Sequence, residues 1–255
     1  MTGRRTQHDF PNPFASRLPM TEPVVFLPGM MCDARVFGAQ ILDLSGQTPV
    51  MVAPITKGER IEEIASSLLD ALPAKCALVG LSMGGIVAME LLRRAPERVS
   101  RIALISTSPL DDTPQISAAR EPLMVRAKAG RLEDVMAETL RPEYLAPGPK
   151  RVEVLSIVKE MSQALGPDVF IRQSRALQRR RDQQSTLRKC KVPALIMCGA
   201  HDQLTPVKRH SFMAELIPNA QLQVMEHSGH LPPLEQPDAV TQVLRDWLKM
   251  PFILR

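Results

Sequence analysis

The sequence predicts an α/β protein with one mostly parallel sheet of about six strands and helices on both faces. Short apolar runs recur along the chain, and they are continuous rather than alternating, which is typical of parallel strands covered on both faces. Amphipathic helical patterns separate most of these runs. This alternation of strands and helices indicates right-handed βαβ units within a single sheet.

The apolar runs and the helical patterns give the order of the elements. The predicted strands cover 24–27, 50–53, 76–79, 102–105, 194–197 and 222–225. The predicted helices outside the long central gap cover about 60–72, 83–94, 207–216 and 238–248. Pro96 predicts the end of the second helix, because proline cannot continue a helix.

The region 110–187 breaks this rhythm, since it contains helical patterns but no convincing strand. Its helical patterns cover 123–128, 132–140, 152–164 and 169–177. We therefore expect a helical cap insertion at 110–187 over the carboxyl edge of the sheet. The core then comprises 23–109 and 188–255, and the polar, proline-rich stretch 1–22 is expected to be a flexible N-terminal arm.

Length and composition fit one well-cored α/β domain. The chain has 255 residues, of which 44% are hydrophobic and 23% charged, so a wholly disordered or collagen-like chain is excluded. The net charge of +5 comes from bases interspersed with acids, and only 179–181 forms a tight basic run. With one Trp and one Tyr for base stacking, a nucleic-acid partner is not expected.

Targeting signals and cysteines point to the cytoplasm. Arg4 and Arg5 resemble the start of an export signal, but no apolar segment follows them, and no apolar run reaches the length of a membrane span. The four cysteines have neither CxxC spacing nor a histidine at metal-ligand spacing. We expect them to be small buried hydrophobic residues in a reducing compartment, with no metal and no membrane partner.

The strongest chemical motif is the GxSxG segment centred on Ser82. It follows the predicted strand 76–79 directly and opens a predicted helix. A nucleophile on a sharp strand-to-helix turn needs small neighbours, and Gly80 and Gly84 occupy those positions. The same turn would aim the Met83 N–H, at a helix N-terminus, toward a developing oxyanion. The alternative is a glycine-rich turn with an incidental serine.

A serine nucleophile needs a base, and His230 is the preferred candidate among five histidines. It lies in a loop just past the last predicted strand, at the sheet edge where Ser82 should emerge. His227 is the rival, three residues earlier and nearer the strand end. His8 falls in the arm, His210 falls within a helical pattern, and His201 is interpreted as a loop residue.

Asp202 is the predicted carboxylate that orients the base. It is the only acid in the loop after the fifth predicted strand, and the chain order of serine, aspartate and histidine is the order used on such sheets. The alternative is that Asp202 caps the helix starting near Pro206, although Thr205 is the better cap candidate.

Backbone N–H groups of Met30 and Met83 are the candidate oxyanion donors. Met30 follows Gly29 in the loop after the first strand, where glycine permits a tight turn. The side chains of Met30, Met31 and Met83 could line a tolerant apolar pocket, because methionine is deformable. The alternative is that these methionines fill gaps in the core.

Together these residues resemble the α/β-hydrolase superfamily, in its esterase and lactonase branch. The resemblance covers about 23–248 and is carried by 79–85, 198–202 and 228–232. It implies a helical cap after the strand 102–105 and the same two oxyanion donors. The chain departs from the family at Pro28, where a histidine is usual, and in the arm, where two antiparallel strands are often found.

The expected activity is hydrolysis of a small-molecule carboxylic ester through an acyl-enzyme on Ser82, with no cofactor. Alternatives with the same machinery are a lactonase of the enol-lactone type and a cofactor-free perhydrolase. An alternative of another class is a small-molecule receptor on a hydrolase fold. Aspartate-nucleophile branches are set aside because the turn holds Ser82, and Leu81 stands where carbon–carbon hydrolases usually have Asn. The substrate and the oligomeric state stay open.

Overall fold

The sheet has six parallel strands, which confirms the predicted fold class. The computed structural model describes residues 22–251, so nearly all of the predicted arm lies outside it. The strands are β1 (Val24–Leu27), β2 (Val50–Val52), β3 (Cys76–Leu81), β4 (Val99–Ile105), β5 (Ala194–Gly199) and β6 (Ala220–Met225). Their order across the sheet is β2-β1-β3-β4-β5-β6, and each neighbouring pair is parallel. The carboxyl ends of all six strands therefore meet at one edge.

Helices fill every connection between strands in the described chain, and two more helices follow β6. They are α1 (Gly38–Leu44), α2 (Ile61–Leu69), α3 (Met83–Arg94), α4 (Pro114–Lys128), α5 (Leu132–Thr139), α6 (Lys150–Leu165), α7 (Pro167–Gln178), α8 (Gln184–Arg188), α9 (Val207–Leu216), α10 (Pro232–Glu235) and α11 (Pro237–Leu248). Short 3-10 helices cover Ala34–Phe37, Pro96–Arg98 and Pro142–Tyr144. No helix in the described part is both long and apolar enough to cross a membrane.

Five helices, α4 to α8, lie between β4 and β5, where the sequence predicted only helical patterns. The first of them begins well before the predicted stretch 123–128 and runs through Pro122. Proline removes one backbone donor within a helix, so the sequence pattern placed the helix start after it. The α8 helix spans the predicted boundary at residue 187. The exact division into core and cap stays a prediction.

The core consists of two apolar layers on opposite faces of the sheet. Along β1, Val24 and Phe26 pack in one layer, and Val25 and Leu27 pack in the other. Successive strand side chains point to opposite faces, so a strand covered on both sides must be apolar throughout. One layer includes α1, α11 and most of the inserted helices, and the other includes α2, α3 and α9.

Candidate active site

Ser82 occupies a strained turn between β3 and α3. Its backbone has φ 51° and ψ −114°, a conformation that non-glycine residues rarely adopt. Its N–H donates to the Ile105 carbonyl oxygen at 2.8 Å, which ties the turn to the end of β4. Strain held by neighbouring structure is common at functional positions, and here it presents a half-buried hydroxyl above the sheet edge.

Glycines allow the turn to fit against its neighbours. A Cβ on Gly80 would lie 2.5 Å from the Gly84 carbonyl oxygen, and one on Gly84 would lie 1.9 Å from the Leu27 carbonyl oxygen. A Cβ on Gly85 would lie 2.7 Å from the Thr107 side chain. The close approaches of Gly80 and Gly84 agree with the predicted need for small residues, whereas the packing of Gly85 was not predicted.

Gly84→Ala should destabilise the protein strongly. The added methyl would overlap a backbone carbonyl of β1, which cannot move without disturbing the sheet. We expect a loss of about 2–5 kcal/mol in the free energy of unfolding, measured by urea denaturation. Gly38→Ala is the matched control, since a Cβ there meets nothing within 4 Å in the helix α1. Equal stability of the two variants would contradict the expectation.

His230 bridges Ser82 and Asp202. Its Nε2 lies 3.1 Å from Ser82 Oγ, and its Nδ1 lies 2.9 Å from Asp202 Oδ2. A carboxylate only accepts, so Nδ1 carries the proton and Nε2 is left as an acceptor facing the hydroxyl. The rival His227 is exposed, and its backbone N–H donates to Gln236 instead. The structure thus brings Ser82, His230 and Asp202 together and leaves His227 outside.

Asp202 is a buried carboxylate with every oxygen occupied. Oδ1 accepts from the N–H groups of Leu204 and Thr205, each at 2.9 Å, and Oδ2 also accepts from the Thr205 hydroxyl at 2.6 Å. Burial works to raise the pKa of Asp202, but the charge of His230 and the hydrogen bonds from His230 and Thr205 outweigh it and lower the pKa. The carboxylate is therefore ionised at neutral pH.

The helix-cap alternative for Asp202 and Thr205 is wrong. The helix α9 begins at Val207, its cap residue is Pro206, and no side chain caps it. Asp202 instead accepts from the backbone N–H groups two and three residues ahead in its own loop. The Thr205 hydroxyl donates to Asp202 Oδ2.

Glu235 fixes the loop that carries His230. Its carboxylate accepts from the N–H groups of Gly229 at 2.9 Å, Leu231 at 2.9 Å and Ala146 at 2.7 Å. The His230 N–H donates to the Tyr144 carbonyl oxygen at 2.7 Å. The inserted segment between α5 and α6 is thereby bonded to the histidine loop. The sequence analysis missed Glu235, since nothing in its local pattern shows that this acid at the end of α10 is buried.

A second contact that the sequence analysis missed links the Ser82 turn to α9. His210 is fully buried in α9, its Nε2 accepts from the Thr107 N–H at 3.1 Å, and the Thr107 hydroxyl donates to the Ser82 carbonyl oxygen at 2.7 Å. Burial lowers the pKa of His210 to about 4, so the ring stays neutral and can accept. The sequence pattern showed only that His210 lies in a helix, so this hydrogen bond to Thr107 was not predicted.

The two candidate oxyanion donors belong to two segments that meet at Ser82. Met83 is the first residue of α3, where an N–H group has no acceptor inside the helix. The loop after β1 touches the turn, since a Cβ on Gly29 would lie 3.6 Å from Ser82 Cβ. Within 22–251, no acceptor bonds the Met30 N–H, whereas the Met31 N–H donates to Gln173 Oε1 at 2.9 Å.

Two of the three methionine side chains are buried in the core, and the third is partly buried. Met31 and Met83 are buried in the two different apolar layers, and Met30 is partly buried. This arrangement favours core filling for Met31 and Met83, and a pocket role for Met31 stays a prediction. Among the described residues, no group of three or more His, Cys, Asp or Glu side chains is arranged to hold a metal ion.

Comparisons with known proteins show the family to which the chain belongs. A family model described as alpha/beta hydrolase fold matches residues 58–237. A pimeloyl-[acyl-carrier protein] methyl ester esterase of Aromatoleum aromaticum is 30% identical over 207 residues, which cover 74% of this chain and 80% of that protein. A thermophilic esterase from Thermogutta terrifontis superposes with a TM-score of 0.82, at 28% identity over 89% of each chain. The enol-lactonase from Burkholderia xenovorans shares the fold, with a TM-score of 0.79 and 23% identity over 90% of this chain and 92% of its own. The chain is therefore an enzyme of the alpha/beta hydrolase fold family, as its resemblance predicted.

Proposed function

We propose that this enzyme hydrolyses carboxylic esters of small molecules through an acyl-enzyme on Ser82. The observation that carries the proposal is the unbroken hydrogen-bonded line from the Ser82 hydroxyl through His230 to the buried Asp202 carboxylate. A serine hydroxyl is a poor nucleophile by itself, and an adjacent imidazole with a free ring nitrogen is the group that activates it. No metal or organic cofactor is required by this chemistry.

The reaction divides into two halves. Ser82 Oγ attacks the ester carbonyl while His230 Nε2 takes its proton, and the tetrahedral oxyanion accepts from the Met30 and Met83 N–H groups. Collapse of this intermediate breaks the bond to the alcohol, which leaves with the proton from His230. His230 then deprotonates a water that attacks the acyl-enzyme. As the bond from the acyl carbon to Ser82 Oγ breaks, His230 returns the proton to Oγ and the acid is released.

Asp202 makes both proton transfers favourable. It holds His230 in the tautomer that leaves Nε2 free, and its negative charge stabilises the imidazolium formed in each half-reaction. The lowered pKa of Asp202 keeps that charge in place across the neutral range.

The names of similar proteins guide the choice of substrates. The relatives named as methyl ester esterases point to esters of small alcohols, and lactones test the alternative suggested by the enol-lactonase. A panel of p-nitrophenyl esters, methyl esters and lactones separates these substrates by kcat/KM. We expect higher values for open-chain esters than for lactones.

A fluorophosphonate probe tests the proposed nucleophile directly. We expect one probe per chain on the native enzyme, because the probe phosphonylates a serine only where a base activates it. Ser82→Ala and wild-type protein denatured before probe addition should both remain unlabelled in intact-protein mass spectrometry. An unlabelled native enzyme would favour a receptor on the hydrolase fold, and labelling of Ser82→Ala would place the nucleophile elsewhere.

A further inference from the structure

A buried glutamine of the inserted helices, Gln173 on α7, contacts the loop that carries the candidate donor Met30. Its side chain is fully buried, and its Oε1 accepts from the Met31 N–H at 2.9 Å. Its Nε2 donates to the Ile55 carbonyl oxygen at 3.1 Å. A carbonyl only accepts and an N–H only donates, so one amide orientation alone satisfies both partners.

The backbone of Met31 is strained, so the surrounding structure must hold it in place. Its φ is 54°, a left-handed conformation that favours glycine, yet the residue is a buried methionine. The Cys32 N–H donates to the Gly29 carbonyl oxygen at 3.1 Å, which closes a four-residue turn with Met31 in its third position. A positive φ there is the mark of a type II turn, which differs from type I in the orientation of its central peptide.

The central peptide of this turn consists of the Met30 carbonyl and the Met31 N–H. Gln173 holds the N–H side, and Cys32 Sγ lies 3.5 Å from the Met30 carbonyl oxygen on the other side. If the bond to Gln173 is removed, Met31 can relax toward negative φ by turning this peptide over. This flip changes ψ of Met30 and φ of Met31. It also leaves the loop after β1 without its bond to the inserted helices, so the Met30 N–H can shift together with that loop.

The helix α7 is well placed to hold the turn. Arg172, next to Gln173, donates from Nε to the Thr56 carbonyl oxygen at 3.0 Å. Arg172 and Gln173 therefore both donate to carbonyl oxygens of the loop after β2. Gln173 also accepts from the loop after β1. A shift of α7 would therefore move the backbone of the loop after β1, which lies beside Ser82.

We propose that Gln173 is a positioning residue for the oxyanion hole, which holds the loop that carries the Met30 N–H beside Ser82 by bonding the strained turn at Met31. The inference rests on the proposed ester hydrolysis. Gln173 does not touch the reacting atoms, so its loss should weaken stabilisation of the tetrahedral intermediate while leaving ground-state binding of the ester almost unchanged.

Gln173→Met, which keeps the side-chain length but neither hydrogen bond, tests this role. We expect kcat for p-nitrophenyl acetate to fall about 10-fold to 100-fold with KM within about 2-fold, less than the loss from deleting an oxyanion donor outright. A trifluoromethyl ketone, which forms a tetrahedral adduct with the serine, should lose affinity in parallel with kcat. Gln173→Glu retains an acceptor for the Met31 N–H and should recover part of kcat.

Gln183→Met is the matched control. Gln183 is an equally buried glutamine that bonds Glu90 and Thr186 and does not touch the loop after β1. It should lose stability without the selective loss of kcat and of ketone affinity. If Gln173→Met does not fold, Gln173→Asn is compared with Gln183→Asn for the same selective loss of kcat and of ketone affinity. Equal kinetics within a pair overturn the inference alone, whereas a wild-type enzyme without ester turnover overturns the proposed function and the inference together.

Discussion

His230→Ala should lower ester turnover by about 10⁴-fold to 10⁶-fold, because it removes the base that contacts Ser82. The imidazole Nε2 lies 3.1 Å from Ser82 Oγ and is the acceptor that the hydroxyl proton requires. Turnover is measured as kcat/KM on p-nitrophenyl acetate, with circular dichroism as a check on folding. The rate of fluorophosphonate labelling should fall along with turnover.

His227→Ala is the control that the chain itself offers. His227 is three residues away and exposed, so its truncation should change kcat/KM by less than about 2-fold. The double variant Ser82→Ala/His230→Ala should be no slower than either single variant, since the two groups act as one unit. Full turnover by His230→Ala, or a comparable loss in His227→Ala, would refute the assignment of the base.

The strand pattern made most of the fold predictable, and the same pattern located the triad candidates. The predicted runs in β1, β3, β4 and β5 are buried on both faces, so composition alone distinguishes them from their surroundings, whereas β2 is half-buried and β6 is largely exposed. Ser82, Asp202 and His230 each follow such a run, and parallel strands bring their carboxyl ends to one edge. The choice of His230 over His227 came from the sequence too, and the hydrogen bonds of the structure agree with it.

The contacts that support these residues could not be predicted from the sequence. Gln173 reaches Met31 across 142 residues, and Glu235 bonds Ala146 across 89. Gln173 lies on the same helical stripe as Val169 and Leu177, but its spacing does not show that its amide reaches the loop after β1. The burial of Glu235 is likewise set by tertiary packing. The error over a helix cap at Thr205 has a related cause, because the competing partners of that side chain, Asp202 and His230, are set by the loop fold.

Asp202→Asn should lower kcat by about 10⁴-fold with little loss of folding stability, because it reverses the tautomer of His230. In wild type, two backbone N–H groups donate to Oδ1, from Leu204 and Thr205. An asparagine must place its carbonyl oxygen at that position, so its NH₂ replaces Oδ2 and faces His230. The amide then donates to Nδ1, which leaves the ring proton on Nε2, pointing at the nucleophile.

A base with its proton on Nε2 cannot accept from Ser82, so the defect lies in kcat rather than in KM. Asp43→Asn is the matched control, since Asp43 is paired with Arg245 between α1 and α11 and makes no contact with the triad. It should keep kcat while losing a comparable charge. A kcat in Asp202→Asn within about 10-fold of wild type would show that the carboxylate does not set the tautomer. Asp202→Glu should recover part of kcat where Asp202→Asn does not, since only a carboxylate accepts from the Nδ1–H of His230.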